Sequence, residues 1–117
     1  RAELLFFSIL TSPEKIIEKT REELKTHSDN YLFLQRTKFF IDIITRSKTS
    51  NELLSLFPKY LFNENEKILT IYKKLNKEKI ILIYNLIKKA ELMFRLYSNM
   101  QTIISQRFLL NLKKILN

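Results

Sequence analysis

Apolar positions recur at helical spacing along almost the whole chain, and short polar clusters divide them into segments. Residues 2–10 (AELLFFSIL) are apolar nearly all round, which predicts a central buried helix. "TSPEK" then restarts the chain. Ser12 suits an N-cap, Pro13 the first helical position and Glu14 the positive end of the helix dipole. The second helix, over 13–26, is mostly charged and offers a core only a thin stripe through Ile17 and Leu24, with Ile16 beside it. "THSDN" is the next break, with Ser28 or Asp29 as cap, and a third helix follows over 30–46. On it Leu32, Phe39 and Ile43 form one line and Phe33, Phe40 and Ile44 a second, while Lys38, Asp42 and Arg46 form a solvated ion-pair row.

"TSNE" has capping-box spacing, with Thr49 as cap and Glu52 three residues on. It opens a short fourth helix that ends before Pro58. "NENE" repeats the signal with Asn63 and Glu66, and a fifth helix runs to about Leu75, with Ile68, Ile71, Tyr72 and Leu75 on one face. Asn76 caps the last element. From 77 to 116 there is no Gly or Pro, and apolar residues keep helical spacing through Ile83, Leu86, Ile87, Ala90, Met93, Phe94, Tyr97, Met100, Ile104, Phe108, Leu112 and Ile115. One helix of that extent would be ~60 Å long. The weak point is "YSN" at 97–99, where Ser98 or Asn99 can cap a fresh helix and turn the segment into a hairpin. The pattern therefore predicts an all-α fold: a helical bundle of about five helices over 1–75, followed by a long projecting C-terminal helix or helical hairpin over 76–117. Leu5, Phe6, Ile9, Phe33, Phe40 and Ile44 are the expected heart of the core. An opening this apolar suggests a domain cut close to its first helix.

The composition removes several function classes. The chain contains no glycine, so a Gly-rich phosphate loop, a dinucleotide fingerprint and a nucleophile elbow cannot be built in their usual forms. It contains no cysteine, which excludes disulfides and cysteine-based zinc sites and agrees with a cytoplasmic location. The longest apolar run, "IILIY" at 80–84, is far short of the roughly 18 residues needed to span a bilayer, and no signal peptide is visible. The formal charge of +9 is unevenly placed, with a net of +3 over 1–75 and +6 over 76–117. A basic face for nucleic acid is one reading of it. A compositional bias toward Lys, Ile and Asn is the other, since Arg is the better residue for bidentate phosphate contacts.

Candidate chemistry is sparse. His27, the only histidine, and Glu23 have metal-ligand spacing but make half a site. Glu14, Glu18 and Glu22 alternate with Lys15, Lys19, Arg21 and Lys25, which is the pattern of a solvated face and not of an acid–base pair. No Ser or Thr has a base at a recognisable offset. The chain is expected to be no enzyme, and to need neither cofactor nor metal. Binding is left. "RFLLNLKKIL" sets Phe108, Leu112 and Ile115 on one side with Leu109 and Leu116 beside them, flanked by Arg107, Lys113 and Lys114. Together with Tyr97, Met100 and Ile104 these are the candidate partner-binding residues. Such a stripe either packs back on its own bundle or docks in a partner's groove with a basic rim. On the second alternative, removing everything after Tyr97 leaves the bundle folded and weakens partner binding.

"RAELLFFSILTSPEKI" resembles the opening of the C-terminal domain of bacterial DnaG-type primase, where an "R-x-E" start leads through an apolar helix into an "x-x-P-E" turn. Arg1, Glu3, the apolar run to Leu10 and Pro13–Glu14 match, and "REELK", a polar turn and a Leu- and Phe-rich helix follow in order. Family members finish with a long helix leading to a small helical hairpin; here its arms would be short, or it would be a single helix. The resemblance implies a non-catalytic domain that docks on the N-terminal domains of the hexameric replicative DNA helicase, with zinc-binding and polymerase domains upstream in the parent enzyme. The helicase's own N-terminal domain is similar in fold but usually has a Gly after its first apolar run, which this chain lacks. A competing reading is a basic helical nucleic-acid module or the helical collar of a clamp-loader subunit. Direct nucleic-acid binding is the weaker prospect, because only Tyr97 and Phe108 supply aromatic interleaving among the C-terminal cations.

Overall fold

The computed structural model describes residues 2–117; Arg1, and with it the start of the primase-like opening, lies outside the described residues, as does the side chain of Glu3. All regular structure among the described residues is helical. Six α-helices, α1 (Pro13–Glu23), α2 (His27–Arg46), α3 (Ser50–Leu56), α4 (Asn65–Lys74), α5 (Lys77–Leu96) and α6 (Gln101–Leu116), are joined by 3₁₀ segments at Ala2–Leu10 and Lys59–Glu64. No described helix is long and apolar enough to cross a membrane.

The opening segment is central and buried as its pattern requires, but it is a 3₁₀ helix and not an α-helix. It lies against α1, α2, α4 and α6. At about 2.0 Å per residue a 3₁₀ helix reaches further through a core than an α-helix of equal length. Ser8, itself buried, donates its hydroxyl to Leu5 O (2.5 Å), and Thr11 closes the end by donating to Ser8 O (2.6 Å).

Local chemistry sets most of the breaks. Ser12 Oγ caps α1 by accepting from Lys15 N, with Pro13 at the first position. Thr49 caps α3 by accepting from Glu52 N (3.1 Å), and Asn76 caps α5 by accepting from Lys79 N (2.9 Å). Two expected caps move. α2 starts earlier, on a reciprocal capping box in which Thr26 Oγ1 accepts from Asp29 N (3.1 Å) and Asp29 Oδ2 accepts from Thr26 N (3.2 Å). The first half of "NENE", Asn63 and Glu64, ends a 3₁₀ segment, and α4 begins at Asn65 with no side-chain cap. Thr26 wins over Ser28 because its pairing with Asp29 satisfies two end groups at once.

The C-terminal segment is a helical hairpin, one of its two expected forms. Leu96 ends α5, and Met100 N donates to Tyr97 O (3.0 Å) across the turn. The molecule's longest dimension, 41 Å, has no room for a ~60 Å helix. Nor does the returning arm stand away from the bundle. α6 packs along α5 and against α1, α2 and the opening 3₁₀ helix. One hydrophobic cluster contains Leu5, Phe6, Phe40 and Ile68 of the expected bundle together with Ile87, Phe108, Leu109 and Leu112 of the hairpin. The expected bundle and the C-terminal hairpin thus share a core.

A polar seam holds the hairpin in register. Asn30 and Ser105 are both buried, and Ser105 Oγ donates to Asn30 Oδ1 (2.7 Å) while Asn30 Nδ2 donates to Thr26 O (2.8 Å). Thr102 Oγ1 donates to Leu24 O (2.7 Å), meeting a carbonyl at the end of α1 that the helix leaves unpaired. Buried polar groups are expensive unless paired, so this seam fixes where α6 starts against α1 and α2. At the other end of α6, Lys113 Nζ donates to Ile9 O (3.1 Å).

Candidate interaction groove on the helical hairpin

The candidate partner-binding residues fall into two groups once α6 is seated. Ile104, Phe108, Leu109, Leu112 and Leu116 are buried, and Phe108 packs edge-on against Phe33 of α2 with ring centroids 6.0 Å apart. Their row is core, which corrects the expectation that they form a free contact stripe. Ile115 is half-buried, and Lys113 is committed to the opening helix through Ile9 O. The physical reason is that the 3₁₀ helix, α1 and α2 leave an apolar trough that only α6 fills. It follows that the tail is not dispensable: removing residues after Tyr97 opens the core.

The other group stays at the surface. Tyr97 and Met100 are 47% and 42% exposed, and Arg107 and Lys114 point outward. The structure adds Ile103, 46% exposed, one helical turn from Met100. Along the hairpin these meet Leu86, Lys89, Ala90 and Met93 of α5. Two hollows result. One, of about 170 Å³, lies near the turn between Met93, Tyr97, Met100 and Ile103, with Ile104 and Arg107 below. The next, of about 150 Å³, continues away from the turn between Leu86, Lys89, Met93 and Arg107, with Ala90, Ile104 and Phe108 as its floor and Asn111 at its end. Met93, Ile104 and Arg107 border both, so the hollows form one groove. Its depth has a simple cause. Ala90 faces α6 where a longer side chain would fill the space between the helices.

Among the described residues the only charged side chains lining the groove are Lys89 and Arg107, and both are positive. Arg107 lines both hollows and is exposed, as expected of a side chain that lays its apolar stem on an apolar surface and keeps its charge in water. The far side of α5 differs. There a broader cleft of about 850 Å³ separates it from the first half of α2, between Tyr31, Gln35, Leu92 and Phe94, and its charged side chains are of both signs: Lys88 and Arg95 with Glu91.

Among the described residues no group of three or more His, Asp or Glu side chains comes together as a metal site. His27 is exposed, and its Nδ1 lies 2.7 Å from Gln101 Oε1, which ties the start of α2 to the start of α6. Asp42, expected in a row with Lys38 and Arg46, accepts a hydrogen bond from the Tyr84 hydroxyl of α5. Burial, and then that bond, raise the Tyr84 pKa above its ordinary value.

No family model matches this chain, and neither a curated protein nor a solved structure matches it.

Proposed function

We propose that this chain is a non-catalytic protein-interaction domain of the bacterial replication machinery, acting in the cytoplasm, whose partner is the N-terminal domain of the hexameric replicative helicase. The supporting observation is the groove: apolar side chains of both arms of the hairpin line a hollow open to water, although α6 itself is seated in the core. A groove of this kind, lined by apolar side chains of two helices, can take the apolar face of a partner helix. The choice of helicase comes from the likeness of residues 1–14 and the segments after them to the primase C-terminal domain. On this reading the domain ties primer synthesis to the fork without taking part in its chemistry.

The seated α6 gives the collar of a clamp-loader subunit a claim as second reading, because the primase family's long helix and separate hairpin are replaced here by a hairpin within the bundle. One experiment separates the two. The purified domain is titrated with helicase N-terminal domain and, separately, with clamp-loader subunits, at low and at high salt. Salt-tolerant helicase binding that falls at least about tenfold with Ile103→Asp supports the first reading. Binding to clamp-loader subunits alone supports the second. Steep loss with salt and binding to bare single-stranded DNA would sink both protein-docking readings.

A further inference from the structure

We propose that the α5/α6 groove seats a single amphipathic helix of about three turns whose apolar stripe is edged by acidic side chains. This rests on reading the chain as an interaction domain and specifies the chemistry of the partner segment. Three observations carry it. First, the groove is bounded by two antiparallel helices, and a third helix lying along such a groove completes a packing unit of the kind bundles are built from. A helix brings its backbone hydrogen bonds with it. An extended peptide would need free backbone partners, and the walls of the groove are side chains of α-helices whose main chains are already paired. Second, the groove runs along α5 from Leu86 to Tyr97, which at 1.5 Å per residue is about 16 Å, or about three turns of a partner helix. Third, Lys89 and Arg107 stand at its rim with no acidic side chain in the lining. Paired with carboxylates beside the apolar stripe, they fix the direction and register of the bound helix and reject basic sequences. The same charges argue against a second copy of this chain, because two such rims would repel and each protomer carries a formal +9.

The test uses the intact domain and a fluorescein-labelled peptide with leucines at i, i+4 and i+7 and glutamates beside them. A twin carries lysines in place of the glutamates. Anisotropy is expected to give micromolar binding of the acidic peptide and at least about tenfold weaker binding of its twin. Arg107→Glu with Lys89→Glu, both exposed, is expected to reverse that preference while leaving the melting temperature in place. Backbone amide shifts on titration should cluster from residue 86 to 111. Equal binding of both peptides, no preference change in the charge-reversed domain, shifts confined to the α2/α5 cleft, displacement by single-stranded DNA, or a dimer in sedimentation that Ile103→Asp dissolves would each overturn the assignment. If helicase binds the domain but the charge-reversed variant binds it equally well, the groove assignment fails and the interaction-domain reading stands. If the acidic peptide binds as described but helicase does not, the groove stands and the choice of partner falls.

Discussion

Large apolar side chains stand on two sides of α6 and serve different ends. Its inner side places Phe108, Leu109, Leu112 and Leu116 in the same cluster as Phe6 and Phe40. Its outer edge, with Met100 and Ile103, stays in water beside Met93 and Tyr97. About a third of a turn of helix separates them. Composition cannot tell the sides apart; what the rest of the bundle leaves open does. A large apolar side chain on this helix is therefore informative about binding only after the trough beneath it has been accounted for.

The most severe way to break that contrast is to remove the helix. A chain ending at Tyr97 is expected to lose cooperative thermal unfolding, because α1, α2 and the opening helix are left facing water. A sharp transition in calorimetry would return α6 to the status of an appendage. Next, Phe108→Ala is expected to destabilise by about 3–5 kcal/mol, as much as Phe40→Ala on α2. Urea midpoints of the two variants test whether tail and bundle are one core, and a far smaller loss at Phe108 would divide them. Asn30→Ala is expected to lose about 1–3 kcal/mol by leaving Ser105 and the Thr26 carbonyl without their buried partner.

A smaller effect comes from Tyr84, which joins α5 to α2. Its raised pKa means that folding favours the neutral phenol, so its stabilisation is complete below its ordinary pKa of 10.0 and is lost as pH rises through the raised value. Tyr84→Phe should flatten that part of the alkaline stability curve, and identical curves would show that neither burial nor Asp42 favours the neutral phenol there. The smallest expected change is at the outer edge. Ile103→Ser should stay within about 0.5 kcal/mol of the parent in the same urea experiment, since surface substitutions usually do. A larger loss would put Ile103 in the core and end the contrast.

Much of this fold is legible in the sequence because it depends on local rules. The caps at Ser12, Thr49 and Asn76 need only a side-chain oxygen near a free backbone N–H, and all three are used. Leu5, Phe6, Ile9, Phe33, Phe40 and Ile44 are buried together, as their spacing and density imply. Which of two adjacent lines faces inward is harder. On α2 the line of Phe33, Phe40 and Ile44 is buried, while its neighbour divides: Leu32 and Phe39 are exposed and Ile43 is buried. On α1 Ile16 is fully buried and Ile17 less so. A helix rotated by one residue has almost the same apolar pattern, and only tertiary contacts choose.

The candidate groove was less legible for a similar reason. Tyr97, Met100 and Arg107 follow from the α6 pattern and the turn, but Lys89, Ala90 and Met93 join the site only when α5 and α6 are antiparallel. A small residue such as Ala90 gives no sign in one dimension that it will floor a hollow. Asn30 looks like a turn residue, and its partner Ser105 is 75 positions away. No local rule links them.

The bond from Lys113 to Ile9 joins positions 104 residues apart, and the opening helix packs on α6. That geometry bears on synthesis. A ribosome adding about 5–20 residues per second needs roughly 5–20 s to go from the first of these residues to the second. For that time the most apolar stretch of the chain has no permanent neighbour on one side. Loops that close this late are also entropically the most expensive to close. Until α6 emerges, the opening helix has an apolar side to keep from other chains, and the seating of α6 is the step that closes it.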